Sequence, residues 1–189
     1  LNMDGWGANP KYPHILGEPA ASINRSYLKL KSMLMPYTYT IAHEAIDGKP
    51  MIRAMFLDYP NSYTLGTQTR YQFLYGPSFL VAPIYKETRA DKEGNDVRHG
   101  IYLPEGKWVD YYNGDVYEGG CILNDYAAPL WKLPVFVKSG SIIPMTTVRK
   151  NGIVQNAYSE RIMPKSTTTA MPMPVPMPNR TLKIFAFFV

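Results

Sequence analysis

From Lys49 onward, short apolar segments alternate with turn clusters, and no other feature of the sequence restricts the fold as strongly. The segments are "PMIRAMFL", "SFLVAPIY", "GIYLP", "KWVDYY", "LPVFVKSG" and "SIIPM"; between them stand "DKEGND", "PEG", "NGD" and "KSGS". Strand-length segments with this punctuation predict an antiparallel β-sandwich. Asn113-Gly114 is the sharpest hairpin signal, because such a pair accepts the positive φ that tight turns need. It predicts strands near 108–112 and 115–118.

The first quarter of the chain has another texture. Ile23, Tyr27, Leu30, Leu34, Tyr37, Ile41 and Ala45 recur in steps of three and four, which predicts a helix over 23–47 with one buried face. Ser22 is the expected N-cap and Gly48 the expected left-handed stop. Pro36 removes a backbone donor inside this span and predicts a kink or two abutting helices. Before the helix, residues 1–22 read "LNMDGWGANPKYPHILGEPAAS". Gly5, Gly7, Pro10, Pro13, Gly17 and Pro19 punctuate this stretch too often for regular structure. A loop that long is functional or disordered, and Asp4, Trp6, Tyr12, His14 and Glu18 argue against plain disorder. Near the other end, "SERIMPKSTTTAMPMPVPMPN" carries too many prolines for a sheet interior. Residues 149–180 therefore read as an extended excursion of polyproline type, after which "TLKIFAFFV" resumes strand character over 181–189.

Composition removes several function classes. Apolar residues reach 46% of the 189, enough for a real core. The net charge of +5 is scattered, and Arg25, Lys29 and Lys31 read as a solvated helix face, so no nucleic-acid partner is expected. Cys121 is the sole cysteine, which excludes an internal disulfide and a cysteine metal cluster; it reads as a small core hydrophobe. No apolar run approaches the roughly 20 residues that span a bilayer, and no membrane partner, metal or cofactor is expected. The opening residues lack the order of a secretory signal.

Four stretches, in order, resemble glycoside hydrolase family 31, the α-glucosidases and their relatives. Leu34-Met35-Pro36-Tyr37-Thr38-Tyr39-Thr40, Glu44-Ala45, Gly48-Lys49-Pro50 and Arg53 resemble the pattern around that family's last barrel helix. "QFLYGPSFLVAPI" (72–84), "YLPEGKWVDYYNGDVYEGG" (102–120) and "LPVFVKSGSIIPM" (133–145) follow in the family's order. The resemblance covers roughly 120 residues and fades after Met145. It implies a mixed α+β chain: the eighth strand, loop and last helix of a (β/α)8 barrel over 1–48, then a proximal antiparallel β-sandwich over 49–148. It also implies a retaining α-glycosidase that hydrolyses or transfers α-linked glucosyl units of oligosaccharides.

Retaining glycosidases need two carboxyl groups about 5–5.5 Å apart. In the family both are aspartates on earlier barrel strands, so no catalytic residue is expected here, and the missing N-terminal part of the barrel becomes an expected partner. "LNMDGWG" would be one wall of the sugar subsite, since the C-terminal rim of a barrel faces substrate. Asp4 would accept sugar hydroxyls, Trp6 would stack on a ring face, and Asn2 and Asp4 would stand where many members carry Arg-x-His. The plain structural readings remain beside these: Asp4 as turn former before Gly5, Trp6 as a plug of the barrel rim. His14 and His43 read as structural, Glu18 as a loop anchor, and Arg53 as a partner of an internal acid or of backbone carbonyls. Trp108 and Trp131 read as sandwich core. Asn24-Arg25-Ser26 and Asn179-Arg180-Thr181 match the glycosylation sequon by chance. Two alternatives stand: a carbohydrate-binding sandwich module using the Tyr-rich 102–126 region, or an inactive truncated gene product. Without a barrel, residues 1–48 are expected to pack poorly on the sandwich.

Overall fold

The structure, a computed structural model, describes residues 15–86 and 96–147 and the backbone of two further strands, 158–159 and 182–186. In chain order the strands are β1 (Ile52–Ala54), β2 (Phe73–Tyr75), β3 (Phe79–Val81), β4 (Val97–Arg98), β5 (Ile101–Leu103), β6 (Lys107–Asp110) and β7 (Val116–Glu118). After them come β8 (Cys121–Leu123), β9 (Tyr126–Ala127), β10 (Val135–Lys138), β11 (Ile142–Met145), β12 (Tyr158–Ser159) and β13 (Leu182–Ala186). Six of them form an antiparallel sheet in the order β1-β2-β3-β10-β6-β7. Two small antiparallel pairs, β4–β9 and β5–β8, stand apart from it. β11 pairs antiparallel with β13, which pairs in parallel with β12.

All of β3 and residues 135–137 of β10 are apolar and buried because both faces of the sheet are covered. Side chains alternate across a strand, so each strand feeds two cores. Leu80 and Phe136 point one way, into a core with Met55, Leu74, Trp108, Ile101, Leu103 and Tyr126. Phe79, Val81, Val135 and Val137 point the other way and meet Tyr37, Ile41, Ile143 and Met145. The register matches: Leu80 lies opposite Phe136, and Phe79 opposite Val137. The first core makes the sandwich; the second is closed by a helix.

That helix is the second of two. α1 spans Ala20–Met33 and α2 Met35–Glu44, broken at Leu34, where Pro36 enters the first turn of α2 without a donor to lose. A short 3-10 turn, Ala45–Asp47, then stops at Gly48, whose φ is +84°. Tyr37 and Ile41 of α2 are buried, and the Tyr37 hydroxyl donates to the Tyr75 carbonyl (2.9 Å) and accepts the Ser78 N–H (3.2 Å). Gly76 is fixed by this contact: its φ is +61°, and a Cβ there would collide with the Tyr37 hydroxyl. The expectation that the helical segment packs poorly on the sandwich fails for α2, because its Tyr37–Ile41 face is part of the second core. α1 has no fully buried residue, yet Leu30 and Met33 pack against the same core.

Four local expectations are corrected. Ser22 is not the N-cap: Pro19 takes that place, and Ser22 in the first turn gives its N–H (3.3 Å) and hydroxyl to the Glu18 carboxylate. Within "PMIRAMFL", Met55–Asp58 is one turn of helix, α3. The hairpin around Asn113-Gly114 has a loop over 111–115, longer than a two-residue turn, because the Asp110 carboxylate and carbonyl capture the N–H groups of Tyr112 (2.8 Å) and Gly114 (3.0 Å). Trp108 is fully buried, but Trp131 is 37% exposed, on a turn at the sandwich edge.

Candidate functional site

Asn2, Asp4, Trp6 and His14 lie outside the described residues, as does most of the 149–180 segment. The described part is the platform on which the first of these segments ends. Gly17 accepts the Ala21 N–H (2.8 Å), and the Glu18 carboxylate closes the first turn of α1. Glu18 thus anchors the end of the loop to the helix.

The Tyr27 phenol fastens α1 to the sandwich, beside the Thr146 N–H, which donates to the Met33 carbonyl (2.8 Å). The Tyr27 hydroxyl lies 2.7 Å from the Trp131 carbonyl, 2.7 Å from the Leu133 nitrogen and 2.9 Å from the Tyr112 hydroxyl. A hydroxyl has one proton to give. The Trp131 carbonyl can only accept and the Leu133 N–H can only donate, so the proton of Tyr27 goes to Trp131. Tyr112 must then donate to Tyr27. Burial, above all, and next the hydrogen bond to Tyr27 push the Tyr112 phenol far above its ordinary range, which keeps it a donor.

Behind Tyr112 sits the most enclosed acid among the described residues. Asp110 has no exposed surface, and its Oδ2 accepts from Lys132 Nζ (3.1 Å) and the Tyr126 hydroxyl while Oδ1 accepts the Tyr112 N–H. The Lys132 ammonium also lies 4.4 Å from the Tyr126 ring centroid. Every partner that Asp110 needs is internal, and no face of it is open to a sugar carbon. It is an anchor and not a nucleophile. Sequence reasoning did not single out Tyr27, Asp110, Lys132 or Tyr126; Tyr27 read only as one more residue of the helix's apolar face. The one available signal was an acid directly before a hairpin turn, in "VDYYNGD".

The buried phenols make stability fall with alkali. Burial pushes the Tyr111 phenol up to about 12 and lifts Tyr37, Tyr112, Tyr117 and Tyr126 as well. Unfolded tyrosines ionise near about 10. These groups therefore contribute full stability below that pH, and lose it as pH climbs toward and through their folded values. Urea midpoints should be flat on the alkaline side up to about pH 10 and then drop steeply. Phenolate absorbance should rise in two stages, exposed tyrosines first and these five with unfolding.

Arg53 behaves as the sequence suggested. Its Nε donates to the Pro50 carbonyl (2.8 Å) and its Nη1 to Asp58 (2.9 Å), with Glu44 farther off at 3.8 Å. It ties the end of α2 to β1 and α3. The Tyr-rich 102–126 region offers no sugar platform: Trp108 and Tyr126 are buried, and Tyr102 and Tyr117 pack against the first core. Tyr111 and Tyr112 pack against the second. Tyr71 and Tyr85 are exposed but stacked on each other, 3.7 Å between centroids and 10° between planes. Arg70 and Arg98 lie 4.5 and 4.7 Å from the two centroids. A guanidinium cannot enter a 3.7 Å gap, so each arginine caps an outer face and the stack is closed to a sugar ring. Among the described residues no cluster of His, Cys, Asp or Glu could hold a metal ion.

Several large apolar side chains are exposed, four of them on the helical segment. Leu28, Met35, Tyr39 (72%) and Ile46 (77%) lie on α1, α2 and the 3-10 turn, at spacings of seven, four and seven. They form a second apolar strip, distinct from the Tyr37–Ile41 face. Exposed apolar side chains grouped in this way are a candidate contact surface.

Comparison with known proteins supplies the context. The profile of the glycosyl hydrolase family 31 C-terminal domain matches residues 48–143. The chain belongs to glycoside hydrolase family 31. An isomaltosyltransferase of Sporosarcina globispora is 38% identical over 156 residues, and an α-glucosidase 2 of Bacillus thermoamyloliquefaciens 34% over 149. These matches cover 76% and 77% of this chain but only 13% and 17% of the relatives. Among solved structures, a family 31 dextranase of Flavobacterium johnsoniae complexed with glucose superposes with a TM-score of 0.66 at 40% identity. It covers 74% of this chain and 16% of its own. The antiparallel sheets described above are those of a family 31 C-terminal β domain.

Proposed function

We propose that this chain is the C-terminal part of a retaining α-glycosidase or α-glucosyltransferase of family 31, acting on α-linked oligosaccharides. In this reading, residues 1–48 complete a catalytic barrel as its eighth strand, loop and last helix. Residues 49–148 are the proximal sandwich, 149–180 a Pro/Met-rich linker and 181–189 a terminal strand. Both catalytic aspartates belong to polypeptide upstream of Leu1. The observation that carries the reading is the two-faced helix pair: Tyr37 and Ile41 are spent on the sandwich, while Leu28, Met35, Tyr39 and Ile46 stay exposed. The remainder of the barrel is the partner that this second strip fits, and the 13–17% share of the relatives supports it.

Within the completed barrel, Asp4, Trp6 and Asn2 form one wall of the subsite that holds the reacting sugar. Trp6 covers the apolar face of the ring, and Asp4 accepts hydroxyl protons through charge-assisted bonds. Hydrolysis and transfer share the glycosyl-enzyme intermediate and differ in the acceptor, so this wall serves either. The test is Asp4→Asn in the complete enzyme. It keeps shape and removes charge, and costs about 2 kcal/mol, or roughly thirtyfold in kcat/KM on an α-glucoside. An unchanged kcat/KM would return Asp4 to the role of a turn former.

A further inference from the structure

The tip of the β6–β7 hairpin carries chemistry that a sugar-cleaving role does not use. Asn113-Gly114 places a side-chain carboxamide next to a backbone nitrogen with no Cβ to shield it. When such a turn is free to rotate, the Gly114 nitrogen can attack Asn113 Cγ. The new N–C bond forms a five-membered succinimide, and the Cγ–Nδ2 bond breaks. The amide proton of Gly114 leaves on the departing nitrogen, as ammonia. Water then adds to either ring carbonyl and gives aspartate or isoaspartate, so the net exchange is water in and ammonia out.

The folded hairpin opposes every step of this. The Gly114 N–H, source of the nucleophile, donates to the Asp110 carbonyl at 3.0 Å. The carboxamide is clamped at both ends by one residue: Asn113 Nδ2 donates to Asp115 Oδ2 (2.6 Å), and Asn113 Oδ1 accepts the Asp115 N–H (3.0 Å). Asp110 N–H closes the loop on the Asp115 carbonyl at 2.8 Å. Turning Cγ onto the Gly114 nitrogen breaks both clamp bonds and frees the nucleophile from Asp110.

We propose that Asn113 is a latent self-modification site, held shut by the folded hairpin and released when the hairpin opens. The product fits the turn less well. A carboxylate at 113 puts a negative charge where the amide donor met Asp115 Oδ2, and isoaspartate lengthens the backbone between Asp110 and Gly114. Asp110 also holds Lys132, and Tyr112 holds Tyr27. One modified residue therefore damages both the buried ion pair and the helix anchor. Opening becomes irreversible, and the chain's lifetime is set by how often this hairpin opens.

The experiment is peptide mass mapping of the 189-residue chain incubated at one pH and temperature, in buffer and in urea. The readout is the mass gain of about one unit on the Asn113 peptide, as amide becomes acid. In buffer the rate should be lower by at least about tenfold, the factor set by an opening cost of only about 1.4 kcal/mol. Asp115→Ala, at an exposed position, removes the carboxylate that holds Asn113 Nδ2 while leaving the backbone N–H, and should speed the reaction several-fold in buffer with little change in urea. Equal rates in buffer and urea overturn the proposal. So does an Asp115→Ala chain that reacts in buffer no faster than its parent.

Discussion

Replacing Asp110 with alanine should lower the unfolding free energy by about 3–5 kcal/mol, because Lys132 would be left as an uncompensated buried cation. The substitution also strips the Tyr126 hydroxyl and the Tyr112 N–H of their acceptor. An exposed ion pair such as Lys107–Glu118, at 3.6 Å, should cost less than about 1 kcal/mol when broken. Urea unfolding of the two variants, read side by side, measures the contrast. Removing both charges, Asp110→Ala with Lys132→Met, should recover part of the loss, since an unpaired buried charge is worse than an apolar pair. A loss at Asp110 no larger than at Glu118 would mean that the cluster is wetter than its burial shows. The consequence runs through Tyr112, which donates to Tyr27 and so holds α1.

The sandwich was legible because short apolar segments and the Gly- or Asn-rich turns between them are local signals. Six apolar segments were enough to announce antiparallel strands, and Arg53 announced its own partners by being a cation in an apolar run. What the sequence hid was non-local. Phe79, Leu80 and Val81 are all apolar, which says that both faces are covered but not by what. Only the structure shows that α2 supplies the second cover through Tyr37 and Ile41. The start of α1 was misplaced because Ser22 has the side chain of a cap, whereas the Glu18 carboxylate captures its N–H and hydroxyl. Trp131 was placed in the core on size alone, yet its backbone carbonyl, and not its ring, is the part that binds α1. The Asp110–Lys132–Tyr126 group joins residues 16 and 22 positions apart, through a fold that no spacing rule encodes. The proposed sugar-facing wall of Asn2, Asp4 and Trp6 rests on resemblance alone. No side chain in the described part substitutes for them: the buried acid is fully engaged, and the exposed tyrosine pair is closed by its arginines.

The same picture makes a strong statement about activity. Enzymes of this kind owe rate enhancements of at least about 10⁶-fold to a positioned acid and nucleophile. In the present account both belong to the barrel portion upstream of Leu1, while this chain contributes a wall, a helix and a supporting sandwich. The most direct measurement is the turnover of an α-glucoside such as isomaltose by the purified 189-residue chain alone, followed as glucose released. The account expects no release above the uncatalysed background. Release at an enzymatic rate, carried by the chain itself, would contradict it, because the reacting carboxylates would then have to lie among these residues.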